Sequence, residues 1–209
     1  MATTMTNNIN KVIEKSRVKY NEVLQSPYVG MSIKVDGYET KGQLEENTRR
    51  TNVKEENTYT VTASLETPVH KGSLVEIQRD YENPDDILRC LVISRPNKTP
   101  VDWYFYVLAF NVNAKRVRSK PIYARNGDKI GDEPDIVDEI PCFVQRVGQR
   151  ERMVDAGIDS DSVNSITTTN NWDIKKDDIL YIGSDKYKVT DINELETDMF
   201  TGYMTYYRE

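Results

Sequence analysis

The residues best able to do chemistry in this chain are its clustered carboxylates: Asp85-Asp86, Asp159-Ser160-Asp161 and Asp177-Asp178. Two carboxylates on facing elements are the machinery of glycoside hydrolysis, and a cluster of them is the donor set of a hard cation. Each of these clusters, however, sits in turn chemistry, where an Asp side chain bonds its own backbone. Asp159 to Asp161 also lacks the loop glycine and the distal Glu of a calcium-binding loop. His70 is the only histidine, so any Ser-His-Asp or Cys-His constellation must be built on it. It stands beside Lys71, in a stretch that reads as exposed. Cys90 and Cys142 are far apart and flanked by apolar residues, with no CxxC spacing for zinc. They read as small buried thiols in a reducing compartment. There is no phosphate-binding loop and no GxGxxG. The expectation is a protein that is not an enzyme and needs no cofactor and no metal.

Composition narrows the partners. The 209 residues carry 28 Lys and Arg against 34 Asp and Glu, a formal net charge of −6. Phosphate backbones are bound by clustered cations, so a dedicated nucleic-acid binder is disfavoured. An acidic surface does suit a wall that DNA must pass without sticking. The opening MATTMTNNINKVIEK shows no apolar run of the secretory type, and no stretch reaches membrane-spanning length. The expectation is a soluble product of the cytoplasm with no membrane partner.

The elements that must position these residues are mostly strands. Residues 7 to 25 read as a helix, with Ile9, Val12, Ile13, Tyr20, Val23 and Leu24 at three- and four-residue spacings. Pro27 and Gly30 end it. Its single apolar stripe must lie either on the chain's own β-domain or on a neighbouring subunit. Beyond Pro27 the period falls to two: Met31, Ile33, Val35; then Tyr59, Val61, Ala63, Leu65; then Leu74, Val75, Ile77. Val101 to Phe110, VDWYFYVLAF, is apolar at both alternations and reads as a strand covered on both faces. Gly42 to Thr58 reads as an exposed polar loop. Residues 113 to 140 read as a charged linker, with a basic run at Lys115, Arg116, Arg118 and Lys120 and an acidic run at Asp132, Glu133, Asp135, Asp138 and Glu139. Those runs are either solvated or dock on neighbours.

The chain also repeats itself. VTASLETPVHKGSLVEI (61–77) lies over ITTTNNWDIKKDDILYI (166–182) without a gap. Val61 meets Ile166, Val69 meets Ile174, Leu74 meets Ile179, and Ile77 meets Ile182. His70 meets Lys175, and Gly72-Ser73 meets Asp177-Asp178. A charged loop precedes each segment, and a turn, an apolar strand and an aromatic-rich strand follow it. The expected organisation is mainly β: an N-terminal α-helix (1–26), two small antiparallel β-barrels or sandwiches (27–112 and 141–209), and the linker between them.

In the second copy, Asp177-Asp178-Ile179-Leu180-Tyr181-Ile182-Gly183 is followed by Tyr187-Lys188-Val189 and Ile192. This phrase (polar pair, apolar strand, Gly-turn, Tyr-x-Val, x-x-Ile) resembles the head-closure, or head-tail connector (stopper), proteins of long-tailed bacteriophages. There the opening pair is usually Gly-Asp, which Asp177-Asp178 replaces. The resemblance covers residues 141 to 209. It implies a structural virion protein of the phage neck: a homo-oligomeric ring between portal or adaptor and tail, made in the bacterial cytoplasm. Such a ring retains the packaged double-stranded DNA and offers the tail proteins a docking surface. By position, the channel or gating loop is Gly148 to Asn171, with Gly148, Arg150, Arg152, Asp159, Asp161 and Asn170 as candidate residues and Gly42 to Thr58 as its counterpart. Ile179, Ile182, Val189 and Ile192 are the expected barrel core. Competing expectations are a tail terminator or tail-baseplate component and an OB-like nucleic-acid-binding protein.

Overall fold

Apolar spacing changes from helical to alternating just past residue 25, and the backbone changes with it. The computed structural model describes residues 2–26, 28–46, 57–148, 152, 158 and 160–208. Helix α1 spans Ala2–Gln25. The chain leaves it through Gly30, whose N–H donates to Ser26 O at 2.9 Å. A Cβ at Gly30 would fall 1.8 Å from Leu24 O, so only glycine permits this exit. The chain then forms two units that divide between Ala109 and Phe110.

The first unit holds β1 (Met31–Val35), β2 (Tyr38–Glu46), β3 (Thr58–Ser64), β4 (Leu74–Gln78), β5 (Ile87–Val92), the two-residue β6 (Asn97–Lys98) and β7 (Asp102–Ala109). The order β3-β2-β1-β4-β5-β7 is closed by pairing of β3 with β7, and β6 lies against β7. Closure removes the open edges that a six-stranded sheet would otherwise expose. Alternate residues point inward, and Ile33, Val35, Val61, Val75, Ile77, Cys90, Phe105 and Val107 are buried together. The VDWYFYVLAF segment is covered unequally. Phe105, Val107 and Ala109 face the core, while Tyr104 and Tyr106 are half-buried on the other side, edge to face with hydroxyls 2.7 Å apart.

The second unit holds β8 (Val112–Tyr123), β9 (Lys129–Arg146), β10 (Asn164–Thr168), a 3-10 turn (Asn170–Trp172), β11 (Ile179–Ile182), β12 (Asp185–Ile192) and β13 (Phe200–Tyr206). These six strands close as β10-β13-β12-β11-β8-β9. Starting from β1 or from β8, the two rings read the same way: β1-β2-β3-β7-β5-β4 and β8-β9-β10-β13-β12-β11. The pairing registers reproduce the ungapped sequence alignment. Leu44 faces Val61 where Val144 faces Ile166, and Ile33 faces Ile77 where Ala114 faces Ile182. The chain is therefore two copies of one closed barrel with an N-terminal helix.

Two boundaries differ from the sequence expectation. Residues 113–140 are not a linker. They are most of β8 and β9, the first hairpin of the second barrel, and Lys115, Arg116 and Lys120 of the basic run pair with Asp138 and Asp135 within it. The loop expected from Gly42 begins later, because residues 42–46 complete β2. Gly42 is buried there, and a Cβ on it would meet Thr62 O at 2.4 Å and Ile33 Cδ1 at 2.5 Å.

Candidate functional site: a projecting ribbon and its ion-pair root

In a closed barrel each strand is held on both sides. β8 and β9 meet that condition for only part of their length. β8 pairs with β11 over Ala114–Val117, and β9 pairs with β10 over Phe143–Arg146. Beyond Val117 and Ile136 the two strands pair, among the described residues, only with each other, out to Tyr123 opposite Lys129. At about 3.4 Å per residue, this two-stranded arm extends on the order of 17 Å past Arg118. Its tip is a turn in which Gly127 takes φ +89° and Ala124 N donates to Asp128 O at 2.7 Å.

A bare two-stranded ribbon is only marginally stable in water. Ion pairs support this one: Lys120 Nζ lies 3.1 Å from Asp135 across the two strands and Lys129 Nζ 2.9 Å from Asp132 along β9, while Lys115 Nζ, nearer the barrel, lies 3.0 Å from Asp138. Each arm strand also carries a proline, Pro121 and Pro134, facing Asp132 and Ser119. Proline has no N–H to offer a further strand, so both blunt the open edges. Tyr123 and Ile130, near the tip, are 62% and 67% exposed.

The root of the arm is a network of buried charge. Arg116, 4% exposed, donates through Nη1 to the carbonyls of Trp172 (3.1 Å) and Asp173 (2.8 Å), and through Nη2 to Asp135 Oδ2 (2.8 Å). Arg118 grips Asp178 with both ends of its fork, Nε to Oδ1 at 2.6 Å and Nη2 to Oδ2 at 2.7 Å. It also donates to the Asp173 carboxylate (2.9 Å) and to the Asp173 carbonyl. The fork matches a carboxylate's geometry, which makes this pairing both strong and directional. The Arg118 guanidinium, with Lys175 beside it, holds the Asp173 carboxyl below its ordinary range.

Asp178 has a second task. Its Oδ2 accepts from Lys175 N at 2.8 Å, while its N–H donates to Lys175 O at 3.2 Å and its carbonyl accepts from Val189 N at 3.0 Å. The preceding Asp177 adopts a left-handed φ of +71°. The first barrel builds the same turn from other residues. Ser73 Oγ accepts from His70 N at 3.2 Å, Ser73 N donates to His70 O at 3.2 Å, Val92 N donates to Ser73 O at 2.9 Å, and Gly72 takes φ +87°. The Asp178 carboxylate is thus a turn-former, as its context suggests, while that of Asp177 pairs with Lys188. Asp178 is in addition the buried anchor of the arm, a role that sequence context did not indicate.

The sequence-derived loop candidates scatter. Arg150 and Asp159 lie outside the described residues. Gly148 follows β9 and is exposed, and its carbonyl accepts from Arg152 N at 3.3 Å. The Arg152 guanidinium donates to the carbonyls of Ser160 (3.2 Å) and Ser162. Asp161 is exposed beside Ser160, and Asn170 donates to Thr197 O at 2.6 Å across the 3-10 turn. The expected loop also ends sooner, because residues 164–168 are β10. What remains is the β9–β10 connection, residues 147–163, whose repeat counterpart is the β2–β3 connection.

Among the expected core residues, Val189 is fully buried, and Ile182 and Ile192 are half-buried against the core. Ile179 is a correction. It is half-buried and outside the core cluster, while its neighbour Leu180 is fully buried. On so short a strand, alternation puts only one of two adjacent apolar residues inside. The arm itself was missed, although Asn126-Gly127 between two segments of opposite charge is a hairpin signal. Among the described residues, no three His, Cys, Asp or Glu side chains converge as metal ligands, and no helix is long and apolar enough to cross a membrane.

No protein-family model and no curated protein matches this chain. Among solved structures it is similar to K. pneumonia MrkH in its apo state, at 10% identity over 94% of this chain and 84% of that one, with a TM-score of 0.22. At that score the likeness carries no weight for fold or function.

Proposed function

We propose that this chain is a structural, non-enzymatic component of a bacteriophage neck. In this reading it forms a ring between portal or adaptor and tail, closes the head on its DNA and presents the surface on which the tail docks. The observation that carries this reading is the segment DDILYIGSDKYKVTDI. Its resemblance to head-closure proteins coincides with a defined structural unit, the β11–β12 hairpin and the hydrogen-bonded turn that opens it. The turn recurs in the first barrel, so the phrase belongs to the fold's own repeat.

The architecture suits such a role. Closed barrels make stiff ring walls. The β9–β10 connection (147–163) is the proposed channel loop, with the β2–β3 connection as its counterpart. The projecting β8–β9 arm is the proposed reach toward a neighbouring neck or tail protein. A net charge of −6 disfavours trapping of passing DNA.

The test is assembly in a phage whose copy of this gene is deleted. DNA-filled heads are expected to leak and to stay tailless, and purified protein is expected to restore both properties. Normal titre without the gene overturns the proposal. Binding of the protein to isolated tails but not to tailless heads would turn it toward a tail terminator.

A further inference from the structure

Helix α1 presents two different faces. At 100° per residue, Ile13, Tyr20 and Leu24 share the face turned to the helix's own barrel. Leu24 is buried, Tyr20 is half-buried with its hydroxyl pKa pushed up by that burial, and Arg17 Nε donates to Pro100 O at 2.6 Å. Ile9, Val12, Lys15, Lys19 and Val23 fall on an adjoining stripe. The N-terminal part of that stripe is open: Ile9 is 60% and Val12 64% exposed. The helix is also the basic part of an acidic protein, with four Lys or Arg against two Glu in Ala2–Gln25.

On the opposite side of the same helix, past Asn21 and Gln25, a groove of about 700 Å³ runs between α1 and the first barrel. Tyr38, Glu39, Glu66, Pro84 and Ile87 are among its lining residues. Tyr38 and Ile87 leave more than 40% of their surface open to it and to solvent. The Asp80–Asp86 turn beside Pro84 adds four carboxylates to its margin. The groove thus mixes Tyr38, Pro84 and Ile87 with polar groups, and Glu39, Glu66, Glu76 and the turn's carboxylates outnumber Lys34 and Lys41, a net acidic surface that complements an apolar stripe flanked by Lys15 and Lys19.

We infer that the Ile9–Val23 stripe of one copy docks in the α1–barrel groove of a second copy. Val12 packs against Ile87 and Tyr38, and Lys15 and Lys19 face Glu39, Glu66 and the Asp80–Asp86 margin. The two surfaces lie on opposite sides of one helix, so one molecule cannot satisfy both with a single partner. The contact is heterologous and propagates head to tail. Its closure into a ring, as opposed to a filament, rests on the neck reading.

The experiment uses full-length protein with Val12→Asp and Ile87→Asp made singly. Both positions are exposed, so each variant is expected to melt as wild type does. Sedimentation should show wild-type self-association, weakened about tenfold or more by either substitution. Mixed one to one, the two variants each retain one intact surface and should form a heterodimer that grows no further. A second measurement pairs Val12→Cys with Ile87→Cys on one chain, where oxidation should give a ladder of covalent oligomers; neither single cysteine should pass a dimer. A monomeric wild type, a mixture that fails to pair, or the absence of a ladder overturns the inference. Such a failure leaves the neck reading to its own assay on portal-bearing heads.

Discussion

The two barrels share a strand order and a turn, yet they seal the same corner with different chemistry. In the first, β1 ends in Val35, fully buried against Val75, and the next turn uses Asp36-Gly37. Asp36 Oδ1 accepts from Leu74 N at 2.8 Å, and Ser73 closes the neighbouring turn. In the second, the position of Val35 is taken by Arg116 opposite Leu180, and that of Ser73 by Asp178. The hairpin does not turn back there but continues as the arm. A two-residue turn needs only a side-chain cap, whereas a ribbon that leaves the barrel levers on its root. The second barrel holds that root with directional, buried ion pairs. Such pairs contribute little net stability over an apolar seal, because both charges are desolvated. What they fix is the arm's direction.

The comparison breaks most visibly at the pair Asp178 and Ser73. Asp178→Ala leaves the buried end of Arg118 without its carboxylate and Lys175 N without an acceptor. Removing one partner of a buried pair costs roughly 3–5 kcal/mol. Ser73→Ala removes one neutral hydrogen bond from the equivalent turn and is expected to cost about 1 kcal/mol. Chemical denaturation of the two variants checks the ranking. Equal losses would mean that the root is no more than a turn. The next effect separates neighbours on β11. Leu180→Ala empties a fully buried site and is expected to cost about 2–5 kcal/mol, whereas Ile179→Ala, outside the core cluster, should cost about 1 kcal/mol or less.

That pair of residues also marks how far the sequence could be read. The doubled barrel was legible because each copy alternates on its own strands, and because spacing between β3 and β4 equals that between β10 and β11. Ile179 and Leu180 were not separable, since alternation of two adjacent apolar residues on a short strand has no phase until the partner strand is known. The β8–β9 hairpin was misread for a related reason. Residues 119–123 are exposed, and with charged residues among them and their partners on β9 the segment mimics a solvated connector. Only Asn126-Gly127 betrayed the turn. The ion-pair root was beyond reach, because Arg118 and Asp178 are distant in sequence and meet only when β8 pairs with β11.

Alkaline titration sharpens a feature the barrels share. Each buries one free thiol, Cys90 on β5 and Cys142 on β9, and burial pushes each pKa up to about 12. The sign follows from linkage. Below the ordinary thiol pKa both folded and unfolded chains keep the proton. Above it the unfolded chain ionises while the folded one does not, so stability falls as pH rises from about 9 toward 12. Tyr187, raised to about 12 first by burial and then by Tyr206, adds to the loss in the second barrel. Melting between pH 8 and 11 should show the decline, and Cys90→Ala should flatten part of it. At the acid end the second barrel stands apart. Asp173 and Asp177 are held below the ordinary carboxylate range by Arg118 and by Lys188 respectively. Their contribution is present above about pH 4 and is lost as pH falls through the depressed values. Both are exposed, so the effect is small.

The smallest test exchanges the residues at which the two turns differ most. Gly72 and Asp177 take the same left-handed backbone, at φ +87° and +71°. Glycine does so without strain, while Asp at that position is tolerated at a cost. Asp177 recovers part of that cost through its carboxylate, 2.7 Å from Lys188 Nζ, and that ion pair is exposed and therefore weak. Asp177→Gly removes the strain and the ion pair together, so at low salt the two changes should nearly cancel. High salt screens the ion pair but leaves the backbone strain untouched. The variant should therefore gain slightly on wild type as salt rises in parallel melts. A difference independent of salt would show that the Asp177–Lys188 ion pair contributes nothing to stability.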